Sequence, residues 1–383
     1  MVIRYEEKDF KSILNKHKFI DSWFWCRYGI NVYQGCEHAC TYCDSRSHRY
    51  HLHPEFDQVI VVKNNVAEML DNRLSRARTL LPDVVVMSGM SDPYHPAEKK
   101  FESTKKCLEI LEKHRYPVHI ITKSPLVTRD KNILARIGKN NWCSVSFTIT
   151  TTDQSLAKFL EPGAPPPKAR LKAITELKKA GDIHVGVTFI PIVPFLADSD
   201  EALESVTRAA KEAGADYILF GGGMTMRDAQ AKWYFKRLGE QYPELVEKYL
   251  ELFQAEFING EYKGRYVPVR KYAKKLYRKM FELCEKYDIK YRMKRYIPDD
   301  YRKDNYIVAE EFVNEAYVQQ SSGKPYSNIF WAGQNITNLK ESIRAVAHRG
   351  ELRQIRNVDE EIEIRIINRL DTIKEGQMTL DSC

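Results

Sequence analysis

No apolar run in this chain approaches the roughly 18 consecutive residues that a membrane span requires, so no spanning helix is expected. The opening segment Met1-Val2-Ile3-Arg4-Tyr5-Glu6-Glu7 lacks the apolar stretch of a secretory signal peptide. Internal repeats and low-complexity linkers are missing too, which argues against a solenoid or a tethered array. The eight cysteines form no paired framework, as expected of a reducing compartment. A cytoplasmic location with no membrane partner is the expectation. Charge of one sign is modest: a net +8 over 383 residues permits nucleic-acid binding without requiring it.

What the chain does have is three cysteines in one tight run, Gly35-Cys36-Glu37-His38-Ala39-Cys40-Thr41-Tyr42-Cys43. The spacing C-x3-C-x2-C supplies three thiolates on one loop, with no fourth cysteine close behind. A four-iron cluster held by three thiolates keeps one iron open to a small molecule, which suits chemistry better than electron storage. The alternative is a zinc knuckle, with Cys26, His38, His48, His51 or His53 completing a tetrahedron. Structural zinc sites usually show paired C-x2-C spacings, and only one such pair occurs here. Cys36, Cys40 and Cys43 are therefore assigned as metal ligands. Cys107, Cys284 and Cys383 are isolated, so no second cluster is expected.

Around this loop, strand-like and helix-like segments alternate. A short strand is expected at Ile30-Asn31-Val32-Tyr33. Helical 64–80 precedes an apolar strand at Val84–Met87, and helical 98–114 precedes one at Val118–Thr122. Helical 128–138 leads to a strand at Cys143–Thr150, helical 167–180 to His184–Ile190, and helical 199–213 to Tyr217–Phe220. Alternation of this kind argues for a parallel sheet with helices packed on it. The unusual residues follow the strands' C-terminal ends: the cysteine loop, Ser88-Gly89-Met90-Ser91-Asp92-Pro93, Lys123-Ser124-Pro125, Pro191–Pro194 and Gly221–Gly223. In parallel barrels the active site gathers at that end. Spacing alone leaves a doubly wound sheet as the rival fold.

Beyond residue 225 the pattern turns to long helical stretches rich in Tyr, Arg and Lys. The densest is Lys271-Tyr272-Ala273-Lys274-Lys275-Leu276-Tyr277-Arg278-Lys279. Such a stripe either stacks bases and neutralises phosphates, or packs its tyrosines on a core with its lysines in water; the second is the commoner use. His48-Arg49-Tyr50-His51-Leu52-His53 reads as a polar loop, with Arg46 and Arg49 available to an anionic group.

C-x3-C-x2-C with an aromatic before the third cysteine resembles the signature of the radical S-adenosylmethionine (SAM) superfamily. The resemblance implies a partial (β/α)6 barrel of TIM type with a helical C-terminal extension. It also implies a 4Fe-4S cluster whose open iron binds SAM, and an electron donor of flavodoxin or ferredoxin type. The expected organisation is an extension at 1–25, the barrel at 26–225, and a mainly helical 226–383 closing over the barrel mouth. An ordered set of features over residues 30–225 is similar to the spore photoproduct lyase and DNA repair photolyase branch. The set comprises Ser91-Asp92, Thr122-Lys123, Ser146, and Glu161-Pro162-Gly163 ahead of a helix ending Lys179-Ala180-Gly181.

By that resemblance Tyr42 sits against the adenine, and Ser91, Asp92, Lys123 and Ser146 line the SAM pocket. DNA or RNA is the expected substrate class; a peptide or small metabolite is the alternative. Two positions depart from the lyase. Its hydrogen-donating cysteine corresponds to Gly89 here, and its relay tyrosine after the third cluster cysteine to Asp44. Neither Gly nor Asp can quench a radical, so the lyase's hydrogen-return path is expected to be absent. No catalytic hydrogen donor is singled out, with Cys26, Cys143 and nearby tyrosines as unranked candidates.

Overall fold

The computed structural model describes residues 3–76, 79–87 and 89–380. Met1, Val2, Ser88 and Cys383 of the segments named above lie outside the described residues. The chain divides into two compact units, one of residues 1–16 and 28–294, the other of residues 17–27 and 295–383.

Six parallel strands build the first unit: β1 (Tyr28–Ile30), β2 (Val85–Met87), β3 (Val118–Thr122), β4 (Cys143–Thr148), β5 (His184–Phe189) and β6 (Tyr217–Phe220). Each pairs with its sequence neighbour, so the spatial order is the chain order. A doubly wound sheet reverses its order at a switch point; this one never does. An antiparallel strand at Leu14–Lys16 covers the free edge of β1.

The two faces of the sheet have different chemistry. Val145 and Phe147 of β4, with Val118 and Ile120 of β3 and Val185 and Val187 of β5, share one core with helix residues Leu108, Leu134, Ile174, Leu177 and Leu203. Their alternates turn to the other face, where His119, Ser144, Ser146, Thr148 and Thr188 are polar. Ser146 meets His119 and Tyr217 there, and the Thr148 and Thr188 hydroxyls lie 3.2 Å apart. With period-2 side chains, helices on one face and a polar lining on the other describe a partial barrel. The Tyr217 ring fills the space over Gly186, where a Cβ would come within 2.3 Å of it.

Two segments differ from the sequence expectation. The strand expected at 30–33 is split: β1 ends at Ile30, and Tyr33–Gln34 pairs antiparallel with Val59–Lys63. Val59–Lys63 pairs in parallel with Arg4–Lys8 on its other side. Residues 256–258 and 261–263 form an antiparallel hairpin inside the stretch expected to be helical. On the helix Arg270–Lys286 the tyrosines pack: the Tyr272 hydroxyl reaches Asp198 at 2.7 Å, and Tyr277 lies against Phe220 and Phe281.

The second unit is helical. Helices Lys303–Ser322, Ser327–Thr337, Ile343–His348 and Glu360–Leu380 enclose a core of Phe312, Ala316, Ile336 and Ile366. Among the described residues no helix is long and apolar enough to cross a membrane.

Candidate functional site

The cysteine loop leaves Tyr33–Gln34 through Gly35, whose φ is +88°. A Cβ at Gly35 would sit 2.5 Å from the Val59 carbonyl oxygen and 2.6 Å from that of Phe56, so the turn accepts only glycine. The Cys36 amide donates to the Phe56 carbonyl at 2.9 Å, and the Ala39 and Cys43 amides close tight turns onto the Cys36 and Cys40 carbonyls, each at 3.3 Å. The Ser91 hydroxyl, from the loop after β2, donates to the Gly35 carbonyl.

Asp92 ties three loops together. One carboxylate oxygen accepts the Tyr94 amide at 2.8 Å and the Thr122 hydroxyl at 2.6 Å. The other accepts the Lys123 amide at 2.7 Å and lies 3.3 Å from Nδ1 of His38. Burial alone would raise this carboxyl; His38, Thr122 and the Lys123 amide outweigh it and hold it well below the usual carboxylate range. The Lys123 ammonium faces the Tyr42 ring, 5.7 Å from its centroid. Burial would lower the Lys123 pKa, but Cys40 and Glu161 dominate and raise it, so the side chain stays charged.

Behind Tyr42 lies a buried ionic pair. The Tyr42 hydroxyl donates to Glu161, which also accepts the Thr150 hydroxyl at 3.1 Å and pairs with Arg170 at 2.5 Å. Burial would raise the Glu161 carboxyl, yet Arg170, Lys123 and the Tyr42 hydroxyl lower it. Burial pushes the Cys36 thiol well up, helped by Asp92 and Cys40. Cys40 rises to about 12, by burial first, with Glu161 and Cys43 adding and Lys123 and Arg170 opposing. Such thiols lose their protons to a metal's positive charge, not to solvent.

Tyr42, Ser91, Asp92 and Lys123 thus meet in one network around the cysteine loop. Ser146 belongs to another. Its hydroxyl lies 2.7 Å from His119 Nε2 and 2.5 Å from the Tyr217 hydroxyl, with no solvent exposure. Burial, with His184 nearby, drives His119 down to about 3, so this layer is neutral. Arg46 is also committed: it pairs with Asp57 at 2.7 Å between the Phe56 and Trp233 rings. Asp44 accepts the Tyr50 hydroxyl at 2.7 Å and is clamped by Arg227. Gly89 has φ +130°, a conformation that strains any side chain, a cysteine included.

Sequence reasoning passed over three members of this site. Glu161 was visible only as part of a loop motif, Arg170 reads as one more solvated helix arginine, and His38 as a spare zinc ligand. The signal that finds them is three-dimensional. Arg170 is 1% exposed, and His38 Nε2 is buried without a hydrogen-bond partner.

The family model of the radical SAM superfamily matches residues 30–209, the span that carries the cysteine loop and β2–β5. This chain is a radical SAM enzyme. It is 34% identical over 266 residues to an uncharacterized protein of Mycobacterium tuberculosis (strain ATCC 25618 / H37Rv), covering 68% of this chain and 74% of that one. Its fold is similar to that of spore photoproduct lyase complexed with dinucleoside spore photoproduct, with TM-score 0.54 and 17% identity over 74% of this chain and 79% of the other. A spore photoproduct lyase mutant with bound SAM and the same dinucleoside gives TM-score 0.51 and 18% identity, over 70% of this chain and 76% of that one. At that identity the likeness speaks for the fold.

As a radical SAM enzyme the protein works with a 4Fe-4S cluster and SAM. The residues present fit these groups. Cations from Lys123 and Arg170 lie near Cys40, as a negatively charged cluster–thiolate unit needs, and the buried Nε2 of His38 lies within the same loop. Among the described residues no three His, Cys, Asp or Glu side chains are grouped to hold a single metal ion.

Proposed function

We propose that this radical SAM enzyme abstracts hydrogen from a nucleic-acid substrate in a photoproduct-lyase-like reaction. Cys36, Cys40 and Cys43 would hold the cluster, and Tyr42, Ser91, Asp92 and Lys123 would build the SAM pocket. Ser146 contributes from within the barrel by holding Tyr217 and His119. When bound and reduced by one electron, cluster and SAM together supply a 5′-deoxyadenosyl radical. The chain's own work is to bind and orient. Lys123 offers a permanent cation to a carboxylate, Tyr42 a ring face, and Asp92 fixes both loops by accepting from Tyr94, Thr122 and Lys123 while it faces His38. The Gly89 backbone and the Arg227 clamp on Asp44 take the place of the lyase's donor cysteine and relay tyrosine, so the hydrogen-return step differs from the lyase's.

One surface carries the substrate assignment. Phe257, Ile258, Tyr266 and Val267 are exposed on and beside the hairpin, and Lys263, Arg265, Lys271, Lys274 and Lys275 are exposed in the same stretch of sequence. Aromatics interleaved with cations suit stacking on bases and pairing with phosphates. This surface is tied to the cluster loop: the Met226 amide donates to the Tyr266 carbonyl at 2.9 Å, and Arg227 lies 4.8 Å from the Tyr266 ring while it grips Asp44. A peptide or metabolite would need neither the row of lysines nor the exposed rings.

The test is SAM cleavage by reduced enzyme with and without ultraviolet-irradiated DNA, alongside polynucleotide binding at rising salt. Stimulated cleavage and a steep salt dependence support the reading. Cleavage indifferent to every polynucleotide would transfer the enzyme to the peptide or metabolite class.

A further inference from the structure

The segment Leu160–Gly163, which follows the helix Gln154–Leu160 after β4, grips the cysteine loop at three points. The Leu160 carbonyl accepts the Thr41 amide at 2.8 Å and the Thr41 hydroxyl at 3.2 Å. The Gly163 amide donates to the His38 carbonyl at 3.0 Å. Between them, Glu161 takes the Tyr42 hydroxyl. The approach is so close that a Cβ on Gly163 would lie 2.0 Å from the Glu37 carbonyl oxygen, which excludes any side chain there. Residues 38, 41 and 42 flank Cys40 on both sides, so the grip spans the middle of the loop.

A neutral acceptor could satisfy a tyrosine hydroxyl, yet the chain places a carboxylate there at 1% exposure. That carboxylate is in turn fixed by Arg170, itself held by the Pro165 carbonyl at 2.8 Å and the Thr148 carbonyl at 2.9 Å. Thr148 ends β4, so the position of Tyr42 is referred to the barrel wall through two side chains. Buried ion pairs add little net stability, and registry is their better-attested use.

We propose that Glu161 is a positioning residue for the SAM site, which acts by holding the Tyr42 hydroxyl and so fixing the ring that lines the adenine side of the pocket. The inference rests on the cluster and pocket assignment above and deepens it. Glu161 does not itself meet the cofactor; it sets the angle of the residue that does.

The experiment uses full-length protein reconstituted anaerobically, with iron content and SAM affinity (equilibrium dialysis) measured on wild type, Tyr42→Phe, Glu161→Ala and the double variant. Tyr42→Phe keeps the ring and the Glu161–Arg170 pair and removes only the hydroxyl. It should retain wild-type iron and bind SAM about threefold to tenfold more weakly, the scale of one lost hydrogen bond. Tyr42→Phe should add nothing further in the Glu161→Ala background, because the interaction is already gone. Wild-type SAM affinity in Tyr42→Phe overturns the proposal. So do losses that add in the double variant, or iron lost from Tyr42→Phe, which would give the hydroxyl a role in building the loop and none in aiming the ring. If Glu161→Ala does not fold, Tyr42→Phe decides alone. A wild-type protein that takes up no cluster fails earlier and overturns the site assignment itself.

Discussion

His38 Nδ1 lies 3.3 Å from the carboxylate of Asp92, and that contact joins the inside of the cysteine loop to the end of the second barrel strand. His38 is 1% exposed and sits between Cys36 and Cys40, while the same carboxylate binds the Lys123 amide at 2.7 Å. The loop and the pocket are therefore one construction.

Lys123 is the cation of that network, with Cys40 and Glu161 acting on its charge. Among the described residues its ammonium has no ion-pair partner, and its nearest aromatic contact is Tyr42. Lys123→Met should weaken SAM binding about tenfold to hundredfold, the range for a hydrogen bond to a charged group. Iron content should stay at the wild-type level. Equal losses of iron and SAM would place Lys123 in the loop's structure instead.

Inside the barrel, Gly186 and Tyr217 share one space. Gly186→Ala forces a methyl group against the ring and should destabilise the protein by about 1–3 kcal/mol, as overpacking does in a filled core. Chemical denaturation of the apo-protein reads this directly. A neutral result would mean that Tyr217 can leave the lumen.

The pH dependence can be read at Asp216, away from the cysteines. Burial would raise its carboxyl, but His184, Lys178 and the Val185 amide hold it down to about 2, from an ordinary 3.8. A depressed carboxyl stabilises the fold above its unfolded value and loses that stabilisation as pH falls toward the folded one. Asp216→Asn should thus cost about 2 kcal/mol at pH 6, with the difference from wild type shrinking between about pH 4 and pH 2. A constant difference across that window would assign the effect to packing.

On the surface, Lys271, Lys274 and Lys275 are exposed along one helix and make no ion pair among the described residues. Replacing all three by alanine should weaken polynucleotide binding and reduce the slope of log affinity against log salt by up to about 3, roughly one for each phosphate left without its lysine. SAM affinity should not change. An unchanged salt slope would move the nucleic-acid interface elsewhere.

Much of the barrel was legible because buried parallel strands are short apolar runs between amphipathic helices. Val118–Thr122 and Tyr217–Phe220 stand as expected, the strands expected at 84–87, 143–150 and 184–190 differ by a residue or two at their ends, and the one expected at 30–33 is split between two sheets. Val59–Lys63 escaped notice because its partner, Arg4–Lys8, is charged and pairs across more than fifty residues. The hairpin at 256–263 carries a local turn signal, Asn259-Gly260 with both φ positive between Phe257-Ile258 and Tyr262, which the helical reading of the region passed over. In the site, spacing alone pointed to the three cysteines. Position after a strand pointed to Ser91, Asp92 and Lys123. Nothing local marks Arg170 or Glu161 as buried, since their value depends on a loop over a hundred residues away.

The most direct test of the whole account is 5′-deoxyadenosine formation from SAM by the anaerobically reconstituted, dithionite-reduced protein, compared with Cys40→Ala. The account predicts 5′-deoxyadenosine and iron–sulfur absorbance in the wild type, with both lost in the variant. A wild-type protein that binds stoichiometric zinc and forms no 5′-deoxyadenosine would contradict it.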